Sequence, residues 1–142
     1  MKAYLDSSVI LRKLLGQPEA IKEWGRWEEG YTSAITRLES LRTLDRLRLE
    51  GKLKDEEVSE KTRLLGMVLD STSTISLNEA VLKAASRAFP TIVGSLDAIH
   101  LASALLCEQK IKDKLTILTH DVRMGLAAQA MGFETKGFAF PS

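Results

Sequence analysis

The chain has 142 residues, of which 44% are hydrophobic and 27% charged, a composition that excludes a disordered protein. A net charge of +1 does not by itself indicate a nucleic-acid-binding protein. The length favours a single domain over residues 1–142, which should bury about 70% of the surface that its unfolded form exposes.

The apolar runs exclude other classes of protein. They are too short to cross a membrane, and Asp6 interrupts the stretch in which a secretory signal needs an unbroken apolar segment. We therefore expect no membrane association and a cytoplasmic location. The single cysteine, Cys107, cannot form an internal disulfide, and its setting in SALLCEQK predicts a packed, inert thiol on a helix.

The first part of the chain predicts strands that alternate with helices. KAYL at 2–5 is a short strand candidate, and DSSVILRKLL then has helical spacing, with Gly16 as its stop. A second helix is expected over 18–27, because it opens on proline and Gly30 follows it as a stop. The β-prone YTSA comes next and predicts a second strand.

The middle of the chain predicts two helices and a strand. ITRLESLRTLDRLRLEG has leucines in steps of three, which favours one broad side of a helix with Glu39 roughly opposite. These leucines are Leu38, Leu41, Leu44 and Leu47. A further helix is expected over 54–69, and STSTISL at 71–77 is β-prone.

The last part completes the alternation. Asn78 is a suitable cap for a helix running to Phe89, and Ser95 for the helix that contains Asp97. LTILT is the clearest buried-strand pattern, followed by a helix to about Met131 and a possible last strand in TKGFAF. The alternation predicts a parallel sheet with helices on both faces.

Four acids stand where a predicted strand or helix begins or ends. Asp6 follows KAYL and Asp121 follows LTILTH, so both belong at the carboxyl edge of a parallel sheet, where such proteins bind ligands. Asp97 lies near a helix start, and Glu39 lies about one turn into another helix. We therefore expect the four carboxylates to meet in one cleft.

Carboxylates this close resist ionising together, and a divalent cation resolves the conflict. Oxygen ligands without a nearby cysteine and histidine set suit Mg²⁺, or Mn²⁺, better than zinc. Such ions, singly or as a pair about 3.5–4 Å apart, promote phosphodiester hydrolysis. The hydroxyls of Thr119, Ser7 and Ser8 are candidate supports for the acids.

These residues resemble the PIN-domain family, specifically the VapC-type ribonuclease toxins of toxin–antitoxin pairs. YLDSSVIL, TRLESLRTL, LDAIHLASAL and LTHDVRM resemble the family's four acidic motifs, in order and over nearly the whole chain. The resemblance implies a three-layer α/β/α sandwich with a central, mainly parallel sheet. It also implies catalytic and metal-binding roles for Asp6, Glu39, Asp97 and Asp121, with Thr119 as the supporting hydroxyl.

What the resemblance implies about function is specific. It implies a Mg²⁺- or Mn²⁺-dependent endoribonuclease that acts as a toxin, forms a homodimer and is held inactive by a cognate VapB-like antitoxin. The alternatives are a catalytically inactive PIN-like RNA-binding or scaffold protein and a receiver-like phospho-aspartate domain. The single acid after the first strand counts against the receiver, because Asp6 is followed by Ser7 and Ser8.

Each acid also has an interpretation without chemistry. Asp6 and Asp121 are suitable helix caps, and Asp97 is suited to the helix dipole as a surface acid. Glu39 is also suited to pairing with Arg42 or Arg46 on an exposed face of its own helix. The basic helix itself is either a solvated face or a phosphate-binding one. Its cations are Arg37, Arg42, Arg46, Arg48, Lys52 and Lys54.

Two histidines and two tryptophans are further candidates. His100 lies one helical turn after Asp97, and His120 adjoins the last acid, but neither pairs with another ligand at metal-site spacing. A general-base role is open to each, although a metal ion activates water without one. Trp24 and Trp27 favour core or interface anchors over base-stacking platforms.

Overall fold

The computed structural model describes residues 1–138, and they form a parallel sheet between two helical layers. The described strands are Lys2–Leu5 (β1), Glu29–Ser33 (β2), Ser73–Ile75 (β3), Thr116–Leu118 (β4) and Glu134–Lys136 (β5). The described helices are Ser7–Leu14 (α1), Ile35–Leu49 (α2), Asp55–Asp70 (α3), Glu79–Ala85 (α4), Ser95–Ile111 (α5) and Val122–Ala130 (α6). The strand order is β3-β2-β1-β4-β5 with every pair parallel, which confirms the predicted fold class.

Alternation along β1 builds both layers of the core. Tyr4 points to the face covered by α5 and α6, where it packs with Leu101 and Met124. Its neighbours Ala3 and Leu5 point to the other face and pack with residues of α1 and α3. Residues 3–5 of β1 are buried and carry apolar side chains on both faces, and Asp6 ends this run.

The strand order places a switch point between β1 and β4. Helix α1, which follows β1, packs on one face of the sheet, and α6, which follows β4, packs on the other. A crevice therefore opens between the loops that follow these two strands. The loops beyond these strands are tied together by the backbone N–H of Asp6, which donates to the Leu118 carbonyl at 3.0 Å. Asp6 and Asp121 therefore begin on either side of one crevice.

The helix predicted over 18–27 is wrong, and this segment forms turns. Glu19 and Gly25 have positive φ values of 60° and 77°, which a right-handed helix does not accommodate. Trp24 and Trp27 instead stack edge to face, with ring centroids 5.3 Å apart, against the hydrophobic cluster under α1 and α3. Tertiary packing of the two indoles replaces local helical bonding.

Several predicted boundaries also move. Gly30 lies inside β2 rather than before it, and α4 ends at Ala85, where the Ser86 hydroxyl donates back to the Leu82 carbonyl at 2.7 Å. Asn78 caps α4 as predicted, but Gly94, not Ser95, holds the cap position of α5. The last strand is Glu134–Lys136, and residues 139–140 of its predicted span lie outside the described residues.

The leucine pattern of α2 misjudges the buried face of that helix. Leu38 is 61% exposed whereas Leu44 is 1% exposed, so leucines in steps of three do not share one side. The buried positions nearest the sheet are polar, with Thr36 and Ser40 fully covered. Cys107 is buried as predicted, and burial raises the pKa of its thiol to about 11.

Candidate active site

Two hydroxyls hold Asp6 at the mouth of the crevice. Asp6 is 4% exposed, and its Oδ2 accepts from Ser8 Oγ at 2.7 Å and from Thr119 Oγ1 at 2.8 Å. Although Asp6 occupies the cap position of α1, its side chain makes no capping bond. Its carboxylate is therefore oriented by the two hydroxyls and not by the helix.

Thr119 also connects Asp6 to Asp121. Its Oγ1 accepts from the Asp121 backbone N–H at 3.0 Å while it donates to Asp6, so one buried hydroxyl organises both loops. Asp121 Oδ1 accepts from the Met124 N–H at 3.0 Å and caps α6. The capping interpretation thus holds for Asp121, and within residues 1–138 its second carboxylate oxygen makes no hydrogen bond.

Ser8, and not Ser7, is the serine beside Asp6. The Ser8 hydroxyl donates to Asp6 and accepts from the His120 backbone N–H at 2.9 Å. Within residues 1–138, Ser7 is buried and makes no hydrogen bond to Asp6. The reason is local geometry, because Ser7 begins α1 and the next side chain along the helix turns toward the crevice.

Glu39 is connected to the site by a hydrogen bond with His100. Its Oε1 accepts from His100 Nε2 at 2.6 Å, and the same nitrogen lies 3.6 Å from Asp6 Oδ1. The other ring nitrogen, Nδ1, lies 2.7 Å from the hydroxyl of Tyr4. Within residues 1–138, Glu39 forms no ion pair with Arg42 or Arg46. These arginines pair instead with Asp45 and Glu50.

The pKa values record the crowding of charge. Burial, followed by the charges of Asp121 and Asp6, raises the pKa of Asp97 to about 6. Burial disfavours the charged form of His100, but its hydrogen bond to Glu39 and the charge of Asp6 outweigh this effect, so the pKa of the imidazole is raised. The four acids therefore act on one another through space.

Basic side chains do not compensate this charge. Among the described residues, no lysine or arginine forms an ion pair with any of the four acids, and the basic side chain beside Asp6 and Glu39 is the imidazole of His100. Asp97 lies in the first turn of α5, where the positive end of the helix favours its charge. A site of this composition favours an added cation.

The donor set fits a hard divalent ion, although the side chains do not yet form a closed cage. Within residues 1–138, no three acids or histidines are grouped closely enough to hold a metal ion as they stand. All four predicted ligands are carboxylates, and Asp97 makes no hydrogen bond within the same span, so its oxygens remain available.

The tryptophans lie far from the acids along the strands. A cavity of about 650 Å³ lies at the opposite, amino-terminal edge of the sheet, and Trp24 and Trp27 line it with Met67. None of the four acids lines this cavity. The packing of both indoles on the core confirms the anchoring interpretation over base stacking at the acidic cleft.

Comparison with known proteins decides the family. Residues 3–129 match the PIN domain family. This chain belongs to the PIN-domain family. Its sequence is also 32% identical to Ribonuclease VapC47 from Mycobacterium tuberculosis, over 93% of this chain and 93% of that protein. The VapC-type PIN assignment made from the four motifs is thereby confirmed, and a receiver-like domain is left without support.

Solved structures agree with the PIN fold. The chain resembles VapBC-5 from Mycobacterium tuberculosis with a TM-score of 0.58 at 15% identity, covering 99% of this chain and 98% of that one. It resembles FitAcB from Neisseria gonorrhoeae with a TM-score of 0.62 at 21% identity, covering 95% and 96%. At these identities the likeness shows the fold alone. No helix within residues 1–138 is long and apolar enough to span a membrane.

Sequence reasoning predicted the supporting hydroxyls of Thr119 and Ser8 in this PIN domain. It missed the side chains that support Glu39. It gave His100 as a possible base near Asp97, whereas the imidazole bonds to Glu39 and Tyr4, which are 61 and 96 positions away. The available sequence signal was a histidine inside an otherwise apolar helix, where burial demands partners for both ring nitrogens. Its partners are set by tertiary structure.

Proposed function

We propose that this VapC-type PIN domain is an endoribonuclease toxin that hydrolyses RNA with a divalent ion, Mg²⁺ or Mn²⁺, held by Asp6, Glu39, Asp97 and Asp121. The observation that carries the proposal is the convergence of these carboxylates at the β1–β4 switch point without a compensating lysine or arginine in the described residues. Family membership supports the reaction class. We also propose that residues 1–142 form one domain.

A divalent ion held by the four acids would supply the hydrolytic chemistry, because it would lower the pKa of water and stabilise the charge that develops on phosphate oxygens. The chain's own groups have a positioning task. Ser8 and Thr119 hold one oxygen of Asp6 and leave the other directed toward Glu39 and His100. The helix start favours the charge of Asp97 beside them, despite its burial.

Substrate contacts are proposed for the cations that lack partners. On α2, Arg42 and Arg46 are occupied by ion pairs with Asp45 and Glu50. Arg37, two positions before Glu39, makes neither an ion pair nor a hydrogen bond within residues 1–138. We expect RNA phosphates to contact Arg37 rather than the paired arginines, because only an uncompensated cation gains fully from phosphate.

A protein partner is proposed for the rim of the site. The relatives in solved structures include a VapBC system and a toxin–antitoxin complex from Klebsiella pneumoniae. Leu38 and Leu96 are 61% and 50% exposed, and each directly precedes one of the acids. We propose that a VapB-like antitoxin covers these leucines and the cleft in the cytoplasm, on a homodimer of this chain.

The proposal is tested by RNA cleavage with purified protein in Mg²⁺, in Mn²⁺ and in chelator. Removing one carboxylate charge, in Asp6→Asn or Asp97→Asn, is expected to lower the single-turnover rate about 100-fold or more. The matched control is Asp113→Asn, which removes an acid at the other edge of the sheet and should cleave like the parent.

Two results would reject the proposal. Equal cleavage by the parent and by both site variants would show that the carboxylates are not the catalytic groups. RNA binding that persists in chelator, without turnover in any metal, would instead favour the inactive RNA-binding alternative. A small basic or amphipathic partner that suppresses cleavage when mixed with the protein would support the antitoxin proposal.

A further inference from the structure

His100 joins three elements at the centre of the molecule. Its side chain is fully buried on α5, and its ring nitrogens contact Tyr4 on β1 at 2.7 Å and Glu39 on α2 at 2.6 Å. The ring also meets that of Tyr4 edge to face, with centroids 5.8 Å apart. The tyrosine therefore fixes both the plane of the imidazole and one of its nitrogens.

We propose that His100 is a positioning residue whose Nε2–H holds the Glu39 carboxylate in the cleft, while the Tyr4 hydroxyl holds the ring. The inference rests on the proposed function, because it assigns a role to Glu39 in the same site. Within residues 1–138, Glu39 makes no other hydrogen bond or ion pair. Its direction in the cleft therefore depends on one donor.

The direction of the bond does not depend on the charge of the imidazole. An ionised carboxylate only accepts, so Nε2 carries the proton that Glu39 receives. The Tyr4 hydroxyl satisfies Nδ1 as donor when the ring is neutral and as acceptor when it is charged. In both states Nε2–H points toward Glu39, with Asp6 Oδ1 at 3.6 Å as its second neighbour.

Burial explains why this relay is rigid. Tyr4 and His100 are both 0% exposed, so water cannot replace either partner, and breaking one bond leaves a buried polar group unsatisfied. Glu39 itself is 18% exposed and has three rotatable side-chain bonds, so without His100 it would sample several rotamers at the cleft. His100 is held rigidly by its burial and by Tyr4, and it thus limits the rotamers that the flexible Glu39 side chain adopts.

The chain contains a matched control for the tyrosine hydroxyl. Tyr4 and Tyr31 are register partners on neighbouring strands, and the hydroxyl of each is hydrogen-bonded to another side chain. Ser103 also lies beside the Tyr4 hydroxyl. The hydroxyl of Tyr31 donates to Glu29 at 2.6 Å, near the amino-terminal edge of the sheet. Tyr31→Phe therefore removes an equivalent hydroxyl that has no hydrogen-bonded connection to the four candidate ligands.

The experiment compares His100→Leu, His100→Gln and Tyr4→Phe with the parent, alone and in a Glu39→Gln background. His100→Leu is expected to lower the single-turnover cleavage rate about 10–100-fold, with RNA affinity changed less than about twofold. His100→Gln keeps an N–H donor near the Nε2 position and should recover most of the rate. Tyr4→Phe should lose about threefold to tenfold, and Tyr31→Phe should lose nothing.

The double-mutant cycle separates positioning from a purely structural role. If His100 acts through Glu39, His100→Leu should cost less than about twofold once Glu39 is already Gln. Equal losses in both backgrounds would overturn the inference, as would a His100→Gln variant no better than His100→Leu. Should His100→Leu not fold, the cycle with Tyr4→Phe and Glu39→Gln decides the question alone.

Two readouts remain if the parent does not cleave RNA, in which case the proposed function fails. In metal-free protein, the Nε2–H proton of His100 should give a slowly exchanging NMR signal that shifts in Glu39→Gln. Mn²⁺ affinity measured by electron paramagnetic resonance should fall about 10-fold in His100→Leu and in Glu39→Gln, without a further fall in the double variant. An unshifted proton signal together with unchanged Mn²⁺ affinity would overturn the inference independently of RNA.

Discussion

The two edges of the sheet treat their acids in opposite ways. At the amino-terminal edge, Glu28 pairs with the chain's own terminal amine at 3.2 Å, and Lys2 serves Glu29 and Asp113 at 3.7 and 3.2 Å. At the carboxyl edge, the four candidate ligands have no lysine or arginine partner within residues 1–138. The same kind of side chain is thus compensated at one edge and left uncompensated at the other.

The pKa values express this difference. The hydrogen bond from Lys2 lowers the pKa of Asp113, so its charge is favoured in the folded protein. Burial and the neighbouring acids raise the pKa of Asp97 to about 6, so its charge is disfavoured there. Lys2 at the first edge thus favours the ionised form of Asp113, whereas burial and like charges at the second edge disfavour the ionised form of Asp97.

The largest effect at the carboxyl edge is expected from Thr119→Val. This substitution keeps the shape of the side chain and removes the hydroxyl that contacts both Asp6 and Asp121. We expect a fall of about 10–100-fold in the RNA cleavage rate, because both acids lose a support. The free energy of unfolding should fall by about 1–3 kcal/mol, since buried partners are left unsatisfied. Single-turnover cleavage assays measure the rate, and urea unfolding measures the free energy of unfolding.

The control is Thr135→Val on β5. Among the described residues, the Thr135 hydroxyl is buried without a hydrogen-bond partner, so its removal should not reduce the stability or the cleavage rate. Cleavage by Thr119→Val at the parental rate would mean that the orientation of Asp6 does not depend on this hydroxyl.

In metal-free protein, neutralising one acid at each edge of the sheet is expected to change the free energy of unfolding by a smaller amount and in opposite directions. At pH 8, Asp97→Asn should raise the free energy of unfolding by about 1 kcal/mol, or about 3 °C in melting temperature, after allowance for solvent screening of a half-buried group. Asp113→Asn should lower it, because Asp113 loses Lys2. Thermal melts in chelator measure both.

The pH dependence of Asp97 follows from the direction of its shift. Its folded pKa of about 6 lies above the unfolded value, so its ionisation costs stability as pH rises from about 4 to 6, and the full cost remains at higher pH. The gain in Asp97→Asn should therefore shrink toward pH 4 and also in saturating Mg²⁺. A constant gain across pH, with no response to Mg²⁺, would contradict the charge explanation.

The smallest expected effect concerns RNA binding by unpaired and paired arginines. Arg37→Gln should weaken binding and reduce the slope of log affinity against log salt by about 0.7, the value for one single-strand phosphate contact. Arg46→Gln is the matched control on the same helix, since Arg46 already pairs with Glu50 at 3.6 Å. Equal slopes for the two variants, measured by fluorescence anisotropy in a catalytically inactive background, would leave Arg37 without a specific role.

Much of the fold was predictable because its cause is local. The apolar run before Asp6 and the LTILT run before Asp121 are strands buried on both faces, and burial on both faces demands continuous apolar sequence. Asn78 caps α4 through its own side chain, which sequence position alone specifies. The segment at 18–27 failed because stacking of Trp24 on Trp27 outweighs a local helical preference.

The sequence by itself determined the alternation of strands and helices, because hydrophobic periodicity acts over a few residues. Its four acidic motifs carried the resemblance to the PIN-domain family. Tertiary structure alone decided that Ser8 rather than Ser7 supports Asp6, that Thr119 links two loops and that His100 reaches Glu39. These bonds join residues up to 113 positions apart, and a hydrogen bond forms only where the fold brings donor and acceptor within about 3 Å.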